Sequence, residues 1–274
     1  MTPRPTCLLE IRWAARPVLI EYQWVGLPEG PVMVFLHEGL GSVSMWRDFP
    51  AQLCAALGCR GLVYSRPGYG RSSPRPAGEH WGPDFMHRQA GEVLPELLKV
   101  LEVSGPIWLL GHSDGGSIAL IYAAQQAEAG QGADAQALAG LIVMAPHILV
   151  EDISLRSIAQ ARGAYLHGGL RERLERHHAD PDSAFWGWNQ AWLAPDFAQW
   201  SIESELSRIQ TPVLAIQGLE DEYGTLEQIR GIARRATRTE LLEMPDCGHS
   251  PHRDQPQALI AAISRFFEKH SRPA

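Results

Sequence analysis

The stretch IWLLGHSDGGSIALIYAAQQ runs from an unbroken apolar segment, through six small and polar residues, into a helical pattern. A short apolar run of this kind reads as a strand covered on both faces, and the helix that follows so soon leaves room only for a very tight turn. Within the turn, Gly111-His112-Ser113-Asp114-Gly115 fits G-x-S-x-G with Ser113 at the apex. Glycine flanks the serine because the turn is too tight for side chains. The serine is expected in a strained conformation with its hydroxyl exposed. The helix N-terminus beneath it favours developing negative charge.

A strand covered on both faces needs helices on both sides, and the rest of the chain supplies them. Two alternating segments, about 8–13 and 17–24, predict an opening antiparallel pair. The apolar run PVMVFLH predicts a third strand, followed by a helix over about 45–57, the strand RGLVYS and the turn-rich loop RPGYGRSSPRP. The order repeats with a helix over about 85–101, the strand PIWLLG, a helix from Ser113 to about 129 and the strand LAGLIVMA. Between the last two, AEAGQGADAQALAG reads as a small-residue helix end and loop. After Pro146 the rhythm breaks: residues 147–207 carry helical patterns and no convincing strand, with Trp186, Trp188, Trp192 and Trp200 towards the far end. Alternation resumes with TPVLAIQG, a helix over about 226–236, TELLEM and a last helix over about 255–269. The expected fold is α/β: a mostly parallel eight-stranded sheet flanked by helices, with 1–146 and 208–274 forming the core domain and 147–207 an inserted helical cap.

Length and charge fit this reading. A chain of 274 residues with 45% hydrophobic and 20% charged residues can bury one large core. A net charge of −7 gives no basic field, which argues against nucleic acid or an anionic membrane surface as a partner and leaves a small-molecule substrate. No apolar segment is long enough to span a bilayer, and the first residues lack the apolar core of a secretion signal, so a cytoplasmic location is expected. Cys7, Cys54, Cys59 and Cys247 form no CxxC pair and read as packed thiols, so neither a disulfide nor a metal is expected.

Two further residues complete a chemistry with Ser113. Asp221 follows the strand VLAIQG, and His249 follows LLEMPDCG in a loop before the last helix. Serine, then acid, then histidine, each just past a strand, is the chain order of a nucleophile, an orienting carboxylate and a general base mounted on a parallel sheet. The histidine would take the serine's proton while the aspartate fixes its tautomer.

These residues, with FLHEGLGS after the third strand, YSRPGYGRSS after the fourth, QGLEDEYGT and DCGHSPH, resemble the α/β-hydrolase superfamily over essentially the whole chain. The pattern looks most like its bacterial cytoplasmic, cap-containing branch of esterases, lactonases and carbon–carbon hydrolases. The resemblance implies a serine hydrolase without cofactor, with an oxyanion hole built from the backbone amides of Asp114 and Gly39, Leu40 standing second to Gly39. One position departs from the family: Glu38 stands where glycine is usual. We expect its carboxylate to turn away to loop amides or an arginine such as Arg66, the sharper reading being a proton donor or a contact to a substrate amine.

The other candidates divide between packing and pocket. His37 and His112 read as positional, bonded to loop backbone; His252 and Arg253 read as structural; and the side chain of Asp114 reads as an ordinary helix-start carboxylate. Glu38, His147, Trp186, Trp188 and Trp192 are the candidate pocket residues. Hydrolysis of a small carboxylic ester or lactone is the expected reaction. Carbon–carbon hydrolysis of an aromatic ring-cleavage product would instead ask for a cationic anchor among Arg162, Arg171 and Arg173. Thioester hydrolysis, or a non-catalytic ligand receptor on the same fold, are the remaining alternatives. Nothing in the sequence marks an oligomer interface.

Overall fold

The computed structural model describes residues 5–129 and 137–271. The inner part of AEAGQGADAQALAG, 130–136, lies outside the described residues. Strands β1 (Cys7–Trp13) and β2 (Arg16–Gly26) form the opening antiparallel pair, joined by a turn through Ala14 and Ala15, both at positive φ. β3 (Val32–Leu36), α1 (Phe49–Leu57) and β4 (Arg60–Tyr64) follow. The expected single helix at 45–57 is split: a 3-10 turn over Val43–Trp46 precedes α1, which starts with Pro50 at its second position.

Helices α2 (Phe85–Arg88) and α3 (Leu94–Val100) are joined by a π-turn over Gln89–Val93, so the expected helix at 85–101 is continuous but locally underwound. Then come β5 (Ile107–His112), α4 (Asp114–Ala129) and β6 (Leu138–Met144). The segment before β7 (Val213–Gly218) carries α5 (Asp152–His167), α6 (Leu170–Leu174) and α7 (Pro181–Trp192). Its extended pairing, among the described residues, is one isolated bridge between Leu149 and Ser201. α8 (Glu227–Arg235), β8 (Thr239–Met244), α9 (Pro251–Asp254) and α10 (Pro256–Ser271) complete the chain.

The eight strands form one sheet in the order β1-β2-β4-β3-β5-β6-β7-β8. β1, β2 and β4 meet antiparallel, and every pairing from β4 to β8 is parallel. Strand residues alternate between two apolar cores. Val32, Val34 and Leu36 pack with α3, α4 and α8, whereas Met33 and Phe35 pack with α1 and α10. Because the strands are covered on both faces, the loops at their C-terminal ends are the places where polar groups can gather. The loops after β3, β5, β7 and β8 carry Gly39, Ser113, Asp221 and His249, and the loop after β6 carries His147.

Candidate active site

The turn after β5 is as tight as its glycines require. Ser113 has φ 52° and donates its N–H to Met144 O at 2.9 Å, while its own carbonyl accepts from Gly116 N at 2.8 Å. A methyl group at Gly115 would overlap the Leu36 carbonyl of the neighbouring strand, and one at Gly111 would overlap the backbone of Gly115. The packing of β3, β5 and α4 therefore holds a non-glycine residue in the left-handed region, with Ser113 facing a cavity. The amide of Asp114 belongs to the first turn of α4, where N–H groups have no intrahelical acceptor.

The loops after β7 and β8 bring an acid and an imidazole together. His249 Nδ1 donates to Asp221 Oδ1 at 2.8 Å. Asp221 also accepts from Tyr223 N at 2.8 Å and from Gln217 Nε2 at 3.1 Å, so both carboxylate oxygens are fixed. Burial alone would push the Asp221 carboxyl up, but the charge and hydrogen bond of His249 and the Tyr223 amide hold it below its ordinary value. Burial likewise pushes the His249 imidazole down, and the Asp221 carboxylate more than offsets this, leaving it raised. With Nδ1–H committed to Asp221, Nε2 is the basic nitrogen. Among the described residues no hydrogen bond joins Ser113 Oγ to His249, a contact that commonly tightens only when substrate is bound.

The cavity between these loops and the helical segment has a volume of about 170 Å³. It is lined by Glu38, Gly39, Leu40, Ser113, Asp114, His147, Trp188, Trp192 and His249, together with Ile158, Tyr223 and Ser250. Trp186 is not on its wall. That indole turns outward under Arg162, whose guanidinium lies 5.5 Å from the ring centroid. Residues two apart on a helix point about 200° apart, whereas Trp188 and Trp192 are i, i+4 and share a face. Arg171 is held by Asp182 and Glu175, and none of Arg162, Arg171 and Arg173 lines the cavity.

The loop after β3 is braced from three sides. His37 Nε2 accepts from Arg66 N at 3.0 Å, so its Nδ1 carries the proton donated to Glu38 O at 2.7 Å. Arg66, fully buried, donates Nη2–H to the same Glu38 carbonyl at 3.0 Å. From the helical segment, His178 Nε2 donates to Leu40 O at 3.0 Å while its Nδ1 accepts from Gly70 N at 2.9 Å. His178 carried no signal in the sequence, because its two partners come from distant loops.

The Glu38 carboxylate does turn aside, but not onto the Arg66 side chain. Its oxygens lie 3.4 Å from His112 Nδ1 and 3.5 Å from Arg253 Nη2, and Arg66 is engaged with the backbone instead. Burial would raise the Glu38 carboxyl; the hydrogen bond and charge of His112 and the charge of Arg253 reverse this and hold it well below the usual carboxylate range. His112 Nε2 in turn donates to the carbonyl of His249 at 2.7 Å, so Glu38 is linked through one ring to the loop that carries the base.

One further expectation changes. The Asp114 side chain is not an ordinary exposed helix-start carboxylate: it is buried, accepts from Trp192 Nε1 at 3.1 Å and lies 3.8 Å from Arg66 Nη2. It ties the helical segment to the serine turn, and burial raises its carboxyl against the lowering charge of Arg66. His147 is both a pocket residue, as expected, and a fixed point of the backbone. Its backbone N–H and C=O are clamped by Ser117 Oγ at 3.0 and 2.6 Å, and its ring lines the cavity 6.0 Å from the His249 ring. Cys247 is a buried thiol, pushed up to about 12 mainly by burial.

An eight-stranded sheet of this order, with a serine turn, an acid and a histidine after β5, β7 and β8, defines an α/β-hydrolase architecture. The model of the alpha/beta hydrolase family matches residues 33–262, and the chain belongs to that family. It is 33% identical to protein phosphatase methylesterase 1 of Bos taurus over 92 residues, which are 34% of this chain and 23% of that relative. Its fold is similar to that of a thermophilic esterase from Thermogutta terrifontis, with TM-score 0.72, 20% identity and coverage of 97% of this chain and all of the other. It is equally similar to a meta-cleavage product hydrolase from Pseudomonas fluorescens IP01, with TM-score 0.71, 16% identity, and 95% and 97% covered. Among the described residues no helix is long and apolar enough to cross a membrane.

Proposed function

We propose that the protein hydrolyses a small carboxylic ester or lactone through an acyl-enzyme on Ser113, His249 and Asp221, beneath a cap formed by 147–207. The observation that carries this reading is the 2.8 Å Asp221–His249 pair opening on the same cavity as the strained Ser113 turn and the Gly39–Leu40 loop. His249 Nε2 takes the Ser113 proton as Oγ attacks the carbonyl, and the amides of Gly39 and Asp114 hold the oxyanion. The tetrahedral adduct collapses with the C–O bond breaking, and the alcohol leaves with the proton from His249. Water, deprotonated by the same nitrogen, then attacks the acyl-enzyme, and collapse of the second adduct releases the acid and restores Ser113.

Size and charge narrow the substrate. A cavity near 170 Å³ is close to the ~150 Å³ that encloses a benzene ring, which favours a short acyl group or a small ring. Glu38 and Glu222 on its wall, with no arginine of the carbon–carbon set beside them, speak against a substrate that presents its own carboxylate. The methylesterase likeness, confined to a third of the chain, agrees with a small alcohol as leaving group.

A chain-length series of p-nitrophenyl esters tests this, with wild type beside Ser113→Ala. Turnover should peak at acetate to butyrate and fall by about 10⁴–10⁶ in the variant. Wild type inert on every ester and lactone, or a variant as active as wild type, would overturn the reading.

A further inference from the structure

Trp188 stands out among the cap tryptophans because its indole N–H lacks a protein acceptor at the cavity wall; Trp200 Nε1 is also unpartnered, but Trp200 does not line the cavity. Trp192 Nε1 donates to Asp114, but Trp188 Nε1 has no acceptor among the described residues, although the residue is only 6% exposed. Unlike Trp46 Nε1 and Trp200 Nε1, which are fully buried without a partner, the Trp188 nitrogen keeps some exposure, and on the cavity wall an entering group can accept from it. The nitrogen is not against apolar packing. It touches Gly39: a methyl group built on that residue would overlap Nε1 and Cδ1 of the indole. Gly39, Trp188, Ser113 and Asp114 all line the cavity. The glycine is thus required here by the indole edge lying on it, since no positive φ demands it.

We propose that Trp188 Nε1–H is a third donor to the carbonyl oxygen of the ester, placed by the cap beside the amides of Gly39 and Asp114. The acceptor it lacks is the oxygen that becomes the oxyanion when Ser113 attacks. A donor aimed at that oxygen is worth more in the tetrahedral state than in the ground state, so its loss acts on kcat rather than KM. It also makes cap closure part of the catalytic arrangement, because two amides come from the core and the third donor from α7. The inference rests on the serine-hydrolase reading given above.

The test is Trp188→Phe, which keeps an aromatic wall and removes the N–H, assayed on the best p-nitrophenyl ester and with a trifluoromethyl ketone that forms a hemiketal oxyanion on Ser113. The expected result is a kcat lower by about 10–10³ with KM within a few-fold, and ketone affinity weakened by a similar factor. Benzothienylalanine at position 188, which swaps the N–H for sulfur at almost constant shape, should reproduce the loss. A kcat within twofold of wild type in both variants, with only the chain-length preference moved, would reduce Trp188 to an apolar wall and overturn the proposal. Should Trp188→Phe unfold, seen as a lost thermal transition, the benzothienyl variant decides alone. Labelling of wild-type Ser113 by a fluorophosphonate separates the two failures: an unlabelled, inactive wild type sinks the hydrolase reading, whereas a labelled wild type matched by its variants sinks only the role of Trp188.

Discussion

The two walls of the cavity are built differently. On the histidine side the carboxylate and the ring are held by a chain of hydrogen bonds: Asp221 holds His249 and is itself held by Tyr223 N and Gln217 Nε2, while the His249 carbonyl is anchored by His112. On the side of the Gly39–Leu40 loop and α7 the bonding is sparser: Asp114 Oδ2 has no hydrogen bond and only the Arg66 guanidinium 3.8 Å away, and Trp188 Nε1 has no acceptor among the described residues. A bonded wall keeps its geometry through a catalytic cycle, so it suits a base that must return to one position. A wall with unmet donors and acceptors gains hydrogen bonds only when something enters, so it suits recognition of the substrate and of the charge that develops on it.

The comparison is broken most severely by disturbing the bonded wall. Asp221→Asn leaves the shape but lets His249 take the wrong tautomer, and kcat should fall by about 10⁴ with little change in KM. A loss below tenfold in ester hydrolysis kinetics would mean that Asp221 does not orient the base. Glu38→Gln acts more gently, because Glu38 reaches that wall only through His112 and Arg253. Asp221 first, then Glu222 and Glu38, raise the His249 imidazole, which also faces His112 and His147. The base works only when neutral, so kcat/KM should rise with pH through an inflection above the ordinary histidine value of about 6.5. Removing the Glu38 charge should move that inflection to lower pH and cost less than about tenfold in kcat. Full turnover with an unmoved inflection would leave Glu38 without a part in either wall.

What the sequence discloses divides along the same line. Ser113 and its glycines announce themselves because a strand, a turn and a helix are contiguous, and Asp221 and His249 are legible because each closely follows a recognisable strand. The eight strands and their mostly parallel order follow from the alternation of apolar runs and helical patterns. The recognition wall is assembled from far apart. Arg253, the partner of Glu38, lies 215 residues away, and no local rule favours it over Arg66. The burial of the Asp114 carboxylate depends on Trp192, 78 residues on. For the tryptophans a usable signal was present: the i, i+4 spacing of Trp188 and Trp192 separates them from Trp186, but only once α7 is known to lie over the strand ends.

The join between the walls offers the smallest and sharpest test. His178 belongs to the proposed cap, accepts from Gly70 N and donates to the Leu40 carbonyl, so it needs the neutral ring with Nδ1 bare. Burial first, opposed by the Leu40 carbonyl, lowers its imidazole to about 4. The unfolded chain would protonate near 6.5, so between these values the unfolded state binds more protons and stability falls as pH falls. This contribution is complete above about pH 6.5 and is lost on approaching pH 4. His178→Gln cannot titrate, so the stability advantage of wild type over it should shrink by about 1–2 kcal/mol between pH 7 and pH 4.5, or a few degrees in Tm. A difference that stays constant across that range would show that the ring is not held neutral. The Leu40 carbonyl would then not depend on a neutral ring, and the proposed cap would hold the loop after β3 through Trp188 on Gly39 and His177 on Ser44 instead.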